Sequence, residues 1–196
     1  MFAANIDKEA LNSLPRIHFT GQIVVAESEG DLVNWLPILC QEQVIGFDTE
    51  SKPSFKKGKM NGISILQLAN STLAIIVKVK KTGIPDILKT FLEDTQIVKV
   101  GAAIHDDLKG LTKIRRFTPN GFIDLQRLAP TYGIEGLSVK KLSAVVLGAT
   151  VSKGQQLSNW EADVLTEAQK IYASTDAWVC REIYLKLMSH TPKAQD

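Results

Sequence analysis

Cysteine is scarce in this chain of 196 residues: only Cys40 and Cys180 occur, and neither sits in a CxxC pair or at a Cys/His spacing that a structural zinc site requires. That excludes a disulfide-framed scaffold and a zinc finger, and both residues read as buried thiols of a reducing compartment. An excess of one charge is lacking too. The 23 Lys+Arg against 21 Asp+Glu leave a formal net charge of +2, too balanced to announce a polyanion or a membrane surface as partner. No apolar run approaches the roughly 20 residues of a membrane span. Met1 to Asp7 lack the basic start and apolar core of a signal peptide, so a cytoplasmic protein with no membrane partner is expected. Neither GxGxxG, GxxxxGK[ST] nor GxSxG occurs, which argues against dinucleotide oxidoreductases, P-loop NTPases and serine hydrolases. His18, His105 and His190 form no HExxH or other ligand spacing, and no organic cofactor is indicated.

What is present is the composition of one compact domain, with 44% hydrophobic and 22% charged residues. A chain of this length buries roughly 70% of its unfolded surface without staples. No repeat or linker divides it, so the division expected is an N-terminal arm over 1–20, a domain over 21–190 and a tail over 191–196. Gln22 to Ala26 alternates as a strand does, and Asp31 to Leu36 opens a helix that Pro37 is expected to kink or shorten. Val44 to Asp48 is an almost continuous apolar run ending in acid, the mark of a strand buried on both faces. Gly62 to Ala69 and Leu73 to Val77 read as two strands joined by the polar Asn70-Ser71-Thr72. Beyond Pro85 helical stripes alternate with short strands. Ile87, Leu88, Phe91 and Leu92 precede Ile97 to Val100; Ile104, Leu108 and Leu111 precede Phe122-Ile123. Leu137 to Leu147 and the long Thr166 to Met188 close the series. Strands first, then alternating helices and strands, imply an α/β mixed sheet of five or six strands with helices on both faces.

The carboxylates carry the chemical signal. Asp48 and Glu50 stand two apart at a strand end, so the period of two puts both on one face. Asp176 interrupts the apolar stripe of Tyr172, Val179, Cys180, Ile183 and Leu187 in the last helix, with Tyr172 one turn before it. In His105-Asp106-Asp107, only Asp107 has the helical phase of Ile104, Leu108 and Leu111. Each pairing alone is equally explained by strand caps and structural ion pairs, and spacing leaves that open. An all-oxygen donor set without His or Cys suits Mg²⁺ or Mn²⁺ rather than zinc.

Three blocks in this order resemble the tyrosine-bearing branch of the DEDD 3′–5′ exonucleases, as in ribonuclease D and the Werner syndrome exonuclease domain. They are Phe47-Asp48-Thr49-Glu50 followed by the strand Ile63 to Leu68, Lys99 to Asp107, and Tyr172-Ala173-Ser174-Thr175-Asp176-Ala177. Ser158-Asn159-Trp160 is also similar to the Werner-type subgroup. The resemblance, from about Gly21 to about Leu187, implies a ribonuclease H-like fold and a stand-alone nuclease domain. It implies further that Asp48, Glu50, Asp107 and Asp176 bind two divalent cations, Mg²⁺ or Mn²⁺, and that Tyr172 holds the attacking water. The partner would be nucleic acid with a free 3′ end, DNA slightly favoured, and the product nucleoside 5′-monophosphate. Ribonuclease D-like trimming of RNA, or a non-catalytic binding module on the same fold, are the alternatives. Lys52, Lys56, Lys57 and Lys59 follow the first two acids and are placed to contact backbone phosphates, unless they form a merely solvated loop. Gln67 and Trp160 are candidates for contact with the terminal nucleotide. Where many relatives carry an Arg before Ser-Asn-Trp, this chain has Lys153-Gly154-Gln155-Gln156-Leu157, leaving Lys153 as the nearby cation.

Overall fold

A computed structural model describes residues 2–54 and 61–193. Among them, β1 (Gln22–Ala26), β2 (Val44–Ser51), β3 (Ile63–Ala69), β4 (Leu73–Val77), β5 (Val98–Gly101) and β6 (Phe122–Asp124) form one sheet in the order β1-β4-β3-β2-β5-β6. β2, β3 and β4 run antiparallel to their neighbours in that trio, while β1 on β4, β5 on β2 and β6 on β5 are parallel. This is the mixed six-stranded sheet that the element order implied. Every residue of β3 and β4 is buried, which is why those segments read as unbroken apolar runs. Their connection is set by Asn70, whose Oδ1 accepts the N–H groups of Thr72 and Leu73 at 2.9 and 2.7 Å.

The strand period divides the core. Ile45, Phe47, Leu66, Leu68 and Ile75 point to one face and are covered by α2 (Glu29–Leu39) and α4 (Asp86–Glu93). The opposite face, with Ile65, Ile76, Ala69 and Ala74, lies under α8 (Glu167–Met188), which supplies Tyr172, Ala173 and Ala177. α7 (Val139–Leu147) packs its Leu142 and Val146 with Val179, Cys180 and Ile183 of α8. α5 (His105–Ile114) follows β5, and α1 (Lys8–Ser13), α3 (Val79–Thr82) and α6 (Leu125–Leu128) are short. Both cysteines are unpaired, and burial pushes their thiols up, Cys40 to about 11. No helix among the described residues is long and apolar enough to cross a membrane.

Two local expectations change. Pro37 does not cut α2 short, since the helix runs on to Leu39. In the last turn its missing N–H removes only the bond to the carbonyl of Val33, whose side chain is on the exposed side. β2 does not end at Asp48 but continues through Ser51, so Glu50 is a strand residue too.

At Gly46, two residues before Asp48, α8 lies close against the sheet. A Cβ there would lie 1.8 Å from the carbonyl oxygen of Ala177. Gly46→Ala is therefore expected to destabilise the protein by about 3 kcal/mol, because helix and strand must separate. Urea unfolding measures this directly, and a loss below about 0.5 kcal/mol would mean that the contact yields freely.

Candidate active site

Because β2 stays extended to Ser51, Asp48 and Glu50 both project toward α8, opposite Gln67 and Ile65 of β3 in the antiparallel register. A capping box fixes where α8 begins: the Thr166 side chain accepts the Gln169 N–H, and the Gln169 side chain accepts the Thr166 N–H. Ten residues on, Asp176 reaches the two strand acids. One carboxylate oxygen from each of Asp48, Glu50 and Asp176 lies within 4.8 Å of the others, and all three residues are half-buried. Two unit charges at that separation repel by about 3.5 kcal/mol at an effective dielectric constant of about 20.

The titration of the cluster follows. Burial, then Asp176, Glu50 and Asp107, hold the Asp48 carboxyl well above the usual carboxylate range. Burial, with Asp176 and Asp107, pushes Glu50 up to about 8. Burial also raises Asp176 to about 7, against the opposing pull of a hydrogen bond from the Tyr172 phenol and the charge of Lys153. Three carboxylates this close are not ionised together without a cation between them. An all-oxygen set of this kind, with no His or Cys in it, fits a hard divalent ion.

Tyr172 is buried, and burial with the Asp176 charge holds its phenol far above the ordinary tyrosine range, so it stays protonated. Its ring packs on Trp160 at 5.9 Å between centroids. Asp107, in the first turn of α5, does not join the three-acid cluster; its Oδ1 accepts a hydrogen bond from Thr49 Oγ1. Burial raises it, while that hydroxyl works in the opposite sense. Asp106 faces solvent, paired at 3.7 Å with Lys109, so Asp107 is the inward-facing member of the doubled aspartate. The turn from β5 into α5 holds Ala103 at φ +59°, with its N–H donated to Asp124 Oδ1 at 2.9 Å.

Asp48, Glu50, Asp176 and Tyr172 line a cleft of about 320 Å³ together with Ser138, Val139 and Lys140 and with Val151, Ser152, Lys153 and Gln156. Gln67 and Trp160 do not reach it: each is 1% exposed, which corrects the expectation that they touch the terminal nucleotide. An alternating strand position and a lone tryptophan carry no signal that separates core from cleft. Here Gln67 faces α8 across from Asp48, and Trp160 backs Tyr172. Lys56, Lys57 and Lys59 lie outside the described residues. Lys52 pairs with Glu161 at 3.7 Å. Nothing in the spacing of Lys140 or Gln156 marks them in the sequence as lining residues.

Residues 23–192 match the 3′-5′ exonuclease family. The human exonuclease 3′-5′ domain-containing protein 2 is 31% identical over 94% of this chain, which spans 33% of that relative's length. A crystal structure of the EXD2 exonuclease domain soaked in Mn is similar at 31% identity and a TM-score of 0.51, over 85% of this chain and 89% of that one. Escherichia coli RNase D, described as an exoribonuclease involved in structured RNA processing, shares the fold at a TM-score of 0.76 and 24% identity, over 87% of this chain and 44% of that one.

Proposed function

This chain belongs to the 3′–5′ exonuclease family, and we propose that it hydrolyses the last phosphodiester at the 3′ end of a nucleic acid strand, releasing nucleoside 5′-monophosphates. The convergence of Asp48, Glu50 and Asp176 beside a protonated Tyr172 carries this reading. Asp48, Glu50 and Asp176, with Asp107 alongside, would hold two divalent cations, Mg²⁺ or Mn²⁺. Such ions, when bound, lower the pKa of water, stabilise the leaving 3′ oxygen and offset charge on the scissile phosphate.

The chain's own residues do the rest. Tyr172 donates its phenol O–H to Asp176 at the cleft wall, so its oxygen orients the attacking water as an acceptor and, still protonated, does not act as the base. Trp160 and the α8 backbone fix that phenol in place. Tyr172→Phe keeps the ring and loses the oxygen, so kcat should fall about tenfold to a hundredfold while KM stays within about threefold. Steady-state kinetics decide it, and an unchanged kcat would remove Tyr172 from the reaction.

The DNA preference drawn from Ser158-Asn159-Trp160 has no physical support in the fold, because Trp160 is core and the Ser158 and Asn159 block is tied to Gln169 at 2.7 and 3.2 Å. The proposal therefore covers both sugars, with RNA trimming as the second reading. Its test is chromatography of products from DNA and RNA single strands of one sequence, with Mg²⁺ or Mn²⁺. Nucleoside 5′-monophosphates are expected. Strands bound and left intact with both metals would make the protein a binding module instead.

A further inference from the structure

The cleft has two walls of opposite sign. Facing the acids are Lys140 and Lys153, and among the described residues neither makes an ion pair. Other lysines near the strand ends are engaged, Lys78 and Lys81 with Glu27 and Lys80 and Lys52 with Glu161. Cations beside a carboxylate cluster but outside ion-pair distance are available to an anionic ligand, although the Lys153 charge is already felt at Asp176.

This basic wall is also strapped. It consists of the segment entering α7 and the segment leaving it, and the N-terminal arm binds both. The Ala4 carbonyl accepts the Glu135 N–H at 2.7 Å, and Asn5 Oδ1 accepts from Lys141 Nζ at 3.2 Å. Farther along, the Pro15 carbonyl accepts the Thr150 N–H at 2.8 Å, and the Ile17 N–H returns a bond to the Thr150 carbonyl at 2.9 Å. The arm then donates the Phe19 N–H to Thr175 Oγ1 at 3.0 Å, one residue before Asp176. One segment thus ties the basic wall to the helix that carries the acid wall.

We propose that Lys140 and Lys153 grip the phosphodiester upstream of the scissile one, and that the N-terminal arm fixes the distance between this cationic wall and the acids. The inference rests on the exonuclease reading. A scissile phosphate at the acid wall leaves its 5′ neighbour facing the lysines, so the wall selects a polynucleotide end over a mononucleotide ester. Each phosphate contact also releases counterions, worth about 0.7 in the slope of log binding against log salt for a single strand.

The test compares kcat/KM for a single-stranded oligonucleotide with that for the p-nitrophenyl ester of thymidine 5′-monophosphate, which has the scissile phosphate and no upstream one. In Lys140→Ala/Lys153→Ala, the ratio of oligonucleotide to ester kcat/KM should fall about tenfold or more, mainly through KM, and the salt slope should flatten by about 0.7 for the one phosphate released. Ile17→Pro, which removes the N–H given to Thr150, should lower the same ratio about threefold, and Ile17→Ala, which keeps that N–H, should restore it. A ratio unchanged in the double variant, or equal loss on both substrates, overturns the proposal. Wild-type protein inactive on both substrates overturns the exonuclease reading itself.

Discussion

Asp48→Asn is expected to abolish cleavage and, at the same time, to make the metal-free protein more stable. The substitution keeps the shape of the side chain and removes one charge from a group of three carboxylates whose oxygens lie within 4.8 Å. Loss of that ligand should cost at least about a thousandfold in kcat/KM, equivalent to about 4 kcal/mol of transition-state stabilisation. Without metal, the Asp48 carboxyl must either carry its charge against Glu50 and Asp176 or hold a proton that the unfolded chain has released, and Asn does neither. The substitution should return about 1–3 kcal/mol, which for a domain of this size is several degrees in Tm. Thermal unfolding in EDTA at pH 8, beside activity with Mn²⁺, measures both. A variant that melts below the wild-type protein in EDTA would show that the acids are not held together against their repulsion.

The second large effect is the joint dependence on pH and metal. Glu50 and Asp176 have folded-state pKa values raised to about 8 and about 7, and Asp48 is raised in the same direction. The folded protein therefore binds protons that the unfolded chain has already released, and its stability without metal falls as pH rises through those values. In EDTA the Tm should drop steadily from pH 6 to pH 9. Divalent metal replaces the protons, so at pH 8 it should restore stability by about 4 kcal/mol at a thousandfold excess over Kd. At pH 6 the protons compete, and the apparent affinity for Mn²⁺ should be at least about tenfold weaker. Calorimetric titration with Mn²⁺ at the two pH values checks this; equal affinities would mean that the carboxylates are already ionised in the free protein.

Much of the site could be read because it rests on short-range periodicity. The period of two set Asp48 and Glu50 on one face, helical phase separated Asp107 from Asp106, and the apolar stripe of the last helix framed Tyr172 and Asp176. These rules depend on neighbours in the chain, and they survive folding. Where a position is settled by partners far along the chain, the same rules are silent. Gln67 and Trp160 look like polar and aromatic candidates for substrate, yet packing under α8 and against Tyr172 buries them. α1, α3 and α6 are under two turns long, too short for a periodic signal, and α1 buries no residue at all. The strap from Pro15 and Ile17 to Thr150 is backbone pairing, which leaves no trace in side-chain chemistry. The extension of β2 past Asp48 comes from its pairing with β3 and not from its own polar residues.

The account's central claim is that these acids form a metal-dependent site acting on 3′ ends. It is tested most directly by a time course on a 5′-labelled single strand with Mn²⁺, with EDTA, and with Asp48→Asn protein shown to be folded. The expected result is a ladder shortening from the 3′ end with Mn²⁺ and wild-type protein, and an intact strand in the other two lanes. A ladder of equal strength from Asp48→Asn, or one that persists in EDTA, would contradict it.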